Sequence, residues 1–260
     1  MKFKKTRQQG FTLVEMAMVL VILGFVLAAL LLPLQAQRQQ LAQSQTENTL
    51  ELAKQALLGF AQSNGRLPCP ATVASNGLEA PLGGNVLCTS QLGYLPAATL
   101  GVDPTDANGF ALDAWNNRIM YAVAQNSTTT TPANTATPDY TTNNATDGMN
   151  IVGLANLTPE LRVCNSSTGI TTITCSISVT PETNYLINNA VAVIYSLGAT
   201  GAQASGGVDE DANPKIPVTP KRVFVSHGIV TGSANEFDHM VTWISPFVLY
   251  NAMIQAGQMH

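Results

Sequence analysis

The sequence predicts an α+β protein built on one long N-terminal helix, with short strands and disulfide-braced loops behind it. Three observations carry this prediction. Met16–Leu34 holds no charged residue, and Gln35–Ser63 continues it with Gln, Ala and Leu, good helix formers with few breakers. β-Branched and aromatic runs recur from Arg118 to Ile244, separated by turn residues. Four cysteines, Cys69, Cys88, Cys164 and Cys175, all lie beyond the apolar run, in segments rich in turn formers.

The N-terminus sets the topology. Met1–Gly10 carries Lys2, Lys4, Lys5 and Arg7 and no acid, and leads into Gly10-Phe11-Thr12-Leu13-Val14-Glu15. Roughly 20 apolar residues span about 30 Å of hydrocarbon as a helix, so residues 11–34 are expected to cross a bilayer, with the basic end held in the cytoplasm by the positive-inside rule. A secretory signal has its small-residue cleavage site after the apolar region. Here Gly10 precedes it, so a cut there removes the leader and leaves the helix. Glu15 is a carboxylate in a membrane segment, which costs about 2.5–3.5 kcal/mol when unpaired. After cleavage the new α-amino group of Phe11 lies four residues away, and in a helical stack of identical subunits one subunit's ammonium meets its neighbour's Glu15.

Basic leader, Gly10, Phe11, Glu15 and apolar run, in that order, resemble the class III signal of type IV pilins and type II secretion pseudopilins. The resemblance implies that a prepilin peptidase cuts after Gly10 and N-methylates Phe11, and that Glu15 guides assembly with other pilin or pseudopilin subunits on an inner-membrane platform. It implies a pilin-like fold, the first half of the helix in the lipid bilayer and the second packed on an antiparallel sheet. The organisation expected is a cleaved leader at 1–10, a transmembrane helix at 11–34, its periplasmic continuation at 35–64 and a globular head at 65–260. Pro33 falls one residue later than the family's proline, so the family's kink does not carry over. The implied protein is a single-pass inner-membrane one with its C-terminal head in the periplasm, assembled into a periplasmic or cell-surface filament. It is a structural subunit of a type IV pilus or type II secretion pseudopilus, a minor one because the head is large and loop-rich. The alternative is a filament-tip binding module, an adhesin or a contact for DNA or another ligand. Neither is an enzyme.

Composition narrows the partners. Charged residues make up 11% of the chain and its net charge is −4, which becomes −8 without the leader's four cations. With no Lys/Arg cluster outside the leader, there is no electrostatic footprint for nucleic acid. Beyond the membrane the cysteines face an oxidising compartment. Of their three pairings, the separations favour Cys69 with Cys88 and Cys164 with Cys175. Zinc at the cysteines is disfavoured, because there is no Cys-x-x-Cys and His227, His239 and His260 are distant in sequence.

Along the chain, Leu41, Leu50, Ala53, Leu57, Phe60 and Ala61 mark a helix face turned to a core, ending at Asn64-Gly65 with Pro68 following. Leu67–Leu100 is punctuated by Pro and Gly and reads as irregular loop. Asp113–Val123 runs from a turn into an alternating strand and resembles the Asp-x-Trp-Gly-x-x-x-x-Tyr segment of pseudopilins, with Asn116 where the Gly is usual. Residues 126–147 read as a mobile polar loop, 161–179 as a hairpin clamped by Cys164 and Cys175, and 190–196, 222–226 and 240–244 as strands. Ser245-Pro246 then opens a terminal helix, Phe247–Ala256.

Two groups carry candidate chemistry. Ser226-His227 and Asp238-His239 supply the residue types of a hydrolase triad, but adjacency in sequence is not triad geometry, and no Gly-x-Ser-x-Gly accompanies them. Asp209, Glu210, Asp211 and Asn213 form a glycine-flanked oxygen cluster of the kind that holds calcium. The resemblance adds that major pseudopilins carry a calcium loop late in the chain. A solvated acidic loop is the other reading.

Overall fold

A computed structural model describes residues 10, 12–83, 88–124, 140–143, 148–154, 157–175, 184–203, 206–217, 221–232 and 235–259, with the backbone alone at 29–35. The chain divides into two compact units, Met1–Ser44 and Gln45–His260.

Helix α1 is Leu13–Asn64. In the first unit its described side chains are apolar and exposed throughout Met16–Leu27. In the second unit Leu50, Ala53, Leu57 and Ala61 are buried at the three- and four-residue spacing of one helix face. Leu41 stays 61% exposed, contrary to its place in the predicted face. Gly65 (φ 69°) supplies the left-handed residue that stops the helix, and its N–H donates to Ala61 O.

The second unit contains a four-stranded sheet in the order β1 (Leu92–Tyr94), β2 (Met120–Val123), β5 (Ala192–Ser196), β7 (Met240–Ile244), wholly antiparallel. Short helices α2 (Ala97–Leu100), α3 (Met149–Val152) and α4 (Val208–Asp211) interrupt the connections. The core joins the buried face of α1 to Leu92, Tyr121, Val193, Ile194 and Ile244. All four residues of β2 are buried, so the expected alternation is absent: β2 is an inner strand with both faces covered. Strand β1 falls inside the stretch read as loop. Its Gly93 is required there, because a Cβ would collide with Ala71 O, the backbone that bridges to Tyr94.

The single antiparallel sheet of the sequence reading becomes two sheets. The second runs β4 (Tyr185–Ala190), β3 (Leu161–Cys164), β6 (Val223–Val225), and its β3–β6 pair is parallel. A parallel pair needs a long crossover, and the chain from Cys164 to Val223 supplies one through β4, β5 and α4. The predicted hairpin over 161–179 differs accordingly. Described residues 165–175 form turns and no strand, the antiparallel partner of β3 is β4, and 176–179 lie outside the described residues. Disulfides join Cys69 to Cys88 and Cys164 to Cys175. Most of the predicted polar loop at 126–147 also falls outside the described residues, while Tyr140 is fully buried.

The turn before β2 explains its own sequence. The Asp113 carboxylate accepts from Trp115 N–H (2.9 Å), Asn117 N–H (2.8 Å) and Ser196 Oγ (2.6 Å). Asn116 sits at φ 67°, a left-handed conformation that Asn adopts more readily than other non-glycine residues. Helix α5 (Pro246–Gln255) starts as predicted, with Ser245 Oγ accepting from Val248 N–H.

Candidate functional site

The N-terminal site is built by the first turn of α1. Gly10 is exposed, and a Cβ there would meet nothing within 4 Å. Phe11 lies outside the described residues. Thr12 caps the helix: its O accepts from Met16 N–H, and its Oγ1 lies 3.3 Å from the Glu15 N–H that donates to it. Glu15 answers, its Oε2 accepting from Thr12 N–H (2.8 Å) and Thr12 Oγ1–H (2.9 Å). This reciprocal pair is a capping box, whose Thr-x-x-Glu spacing is legible in the sequence and gives Glu15 a local partner besides the neighbouring subunit's ammonium expected for it. The helix N-terminus also favours a carboxylate electrostatically.

Beyond this cap the described side chains from Met16 to Leu27 present no charge, and apolar groups point outward on every side of the helix; Phe25 is 74% exposed. Among the described residues no helix is long and apolar enough to cross a membrane. Residues 29–34, which complete the predicted span, are not described with side chains.

In the head, the four candidate calcium residues take separate partners. Asp209 accepts from Ser167 N–H (2.5 Å) and faces His227 Nε2 at 3.2 Å. Asp211 accepts from Gly206 N–H at the surface. Asn213 is buried and imitates a strand, its amide donating to Val225 O and accepting from Val225 N–H, both at 2.8 Å. Glu210 is buried as well, but among different partners, accepting from Asp238 N–H (2.9 Å) and the Thr200 hydroxyl. Burial raises its carboxyl above the ordinary range and neighbouring Asp238 adds to the rise, against the hydrogen bonds it accepts.

His239 follows Asp238 into this buried region, where burial lowers its imidazole to about 4. It also lines a cavity of about 440 Å³ with Leu50, Ser226, His227 and Met240. No triad forms among the described residues. His227 is engaged at both nitrogens, Nδ1 with Gly228 O (2.8 Å) and Nε2 with Asp209, and it stacks on Phe237. Thr200 and Asp238 are the cluster members that sequence reasoning did not connect with Glu210, because only folding brings together residues 10 and 28 positions away.

A family model described as the prokaryotic N-terminal methylation motif matches residues 5–31. No curated protein and no solved structure matches the chain. The chain therefore carries the N-terminal methylation signature of type IV pilins and pseudopilins.

Proposed function

We propose that this protein is a minor structural subunit of a type IV pilus or a type II secretion pseudopilus, held in the inner membrane by residues 11–34 until it is assembled. One observation carries the reading: a helix that exposes apolar side chains on all sides from Met16 to Leu27 and opens on the methylation motif. A helix apolar all round is stable only in lipid or enclosed by other helices, and the motif supplies the second environment through assembly. Cleavage after Gly10 frees the amine of Phe11, which is then methylated. In the filament that ammonium pairs with the Glu15 of a neighbouring subunit, exchanging a local cap for an intersubunit ion pair. The size of the head, Gln45–His260, supports a minor role.

Mass spectrometry of the membrane-extracted protein tests the first step. The expected N-terminus is a methylated Phe11. A chain that keeps Lys2–Arg7 in the presence of prepilin peptidase overturns the reading. For assembly, Glu15→Ala is expected to leave the chain folded and membrane-bound while filament incorporation falls at least tenfold, and normal incorporation would exclude the ion pair.

A further inference from the structure

The head gathers two carboxylates and an imidazole in its interior. Glu210, Asp238 and His239 are 0%, 6% and 2% exposed. A carboxylate oxygen from each acid and one nitrogen of His239 all lie within 4.8 Å of one another. Both acids lean on one hydroxyl: Thr200 Oγ1 is 2.9 Å from Asp238 Oδ1 and 3.2 and 3.3 Å from the two oxygens of Glu210. A hydroxyl has one proton to donate, so it cannot serve both carboxylates at once. No lysine or arginine pairs with either acid among the described residues.

His239 supplies the independent observation. Its Nε2 is buried with no hydrogen-bond partner, and its Nδ1 has only a 3.4 Å contact with Asn213 Nδ2, long for a hydrogen bond. A buried imidazole left this way costs stability unless something else uses its lone pair. The backbone also makes room, since a Cβ on Gly198 would collide with Asp238 Oδ1 and one on Gly206 with Glu210 Oε2.

We propose that Glu210, Asp238 and His239, with the Thr200 hydroxyl beside them, form a binding site for a zinc-class divalent cation. The donor set selects the class. Calcium takes six to eight oxygens, whereas two carboxylates and one imidazole match a four-coordinate zinc site with one position for water. The cation supplies the positive charge that the paired carboxylates lack. It ties α4 and the turn at Thr200 to the segment entering β7, so its role is to brace the head.

The test is zinc titration by calorimetry of the full chain in detergent, produced without a polyhistidine tag and stripped with EDTA. One zinc per chain is expected at micromolar or tighter affinity, and zinc at 100 times its Kd should raise the melting midpoint by about 5–10 °C. His239→Gln and Glu210→Gln should each weaken zinc binding at least tenfold, while His227→Gln, outside the cluster, binds normally. Glu210→Gln keeps the shape of the hydrogen bonds, so its zinc-free midpoint should stay at or above that of the unsubstituted protein, which separates loss of the site from loss of the fold. No heat with zinc, or unchanged affinity in both cluster variants, overturns the proposal. Tight calcium binding with weak zinc binding refutes the donor-set argument. A metal-independent midpoint that climbs as pH falls assigns the cluster to a shared proton instead.

Discussion

Glu79→Leu tests whether a buried ion pair holds the end of α1 to the first disulfide loop. Arg66 and Glu79 are each 5% exposed and meet through two bonds of 2.7 Å. Glu79 also accepts from Cys69 N–H and Gly83 N–H, both at 3.2 Å, and the guanidinium sits 5.1 Å from the centre of the Phe60 ring. Removing the carboxylate strands a buried guanidinium, at a cost of about 3–5 kcal/mol. For a domain of this size each kcal/mol moves the melting midpoint by roughly 2–4 °C, so the expected fall is about 6–20 °C. The double variant Arg66→Met, Glu79→Leu removes both charges and leaves the two backbone donors short of an acceptor and Leu67 O without the Arg66 donor, at about 1–3 kcal/mol for each group left unsatisfied. It should therefore be less destabilised than the sum of the singles by more than about 1 kcal/mol. Urea and thermal unfolding of the detergent-solubilised chain, followed by circular dichroism, measure all three variants. A loss below about 1 kcal/mol for Glu79→Leu, or simple additivity in the double variant, refutes the reasoning.

Other positions make independent predictions. Thr12→Ala removes half of the capping box and should cost about 1 kcal/mol of local helix stability, read as faster amide exchange confined to the first turn of α1. Replacing Cys164 and Cys175 with Ala opens a loop with a sequence separation of 11 and should cost roughly 3 kcal/mol in the chain-entropy model; non-reducing peptide mapping checks the pairing, and a Cys69–Cys164 peptide would contradict it. Asn116→Gly should be neutral or stabilising, whereas Asn116→Val should cost about 1–2 kcal/mol, because a β-branched residue tolerates the left-handed turn poorly. For Asp106, burial pushes the carboxyl up, but hydrogen bonds from Phe110 N–H, the Arg118 side chain and Asn108 N–H outweigh it and hold the group below its usual range. A depressed folded value means that its stabilisation is present above the unfolded value near 4 and is lost as pH falls through the folded one, so Asp106→Asn should flatten the acid limb of the melting curve below about pH 4.

The N-terminal site was almost wholly legible in the chain, because its parts are local. Gly10, Thr12 and Glu15 lie within one or two helical turns, so order and spacing suffice, and the Thr12–Glu15 cap needs nothing but the helix itself. The stop at Gly65 and the start at Ser245-Pro246 follow from the same short-range chemistry. Two sheets in place of one, the parallel β3–β6 pair and the burial of both faces of β2 were decided by tertiary structure. Strand partners are chosen by which apolar faces find cover, and a strand's own residues do not name its neighbour. The acidic loop shows the same division at a single residue. Sequence placed Glu210 among three other oxygen donors, but the fold spent Asp209 on Ser167 and Asn213 on β6. Glu210 turned inward to Thr200, Asp238 and His239 because the backbone leaves room at Gly198 and Gly206, and that convergence exists only once the chain between them has folded.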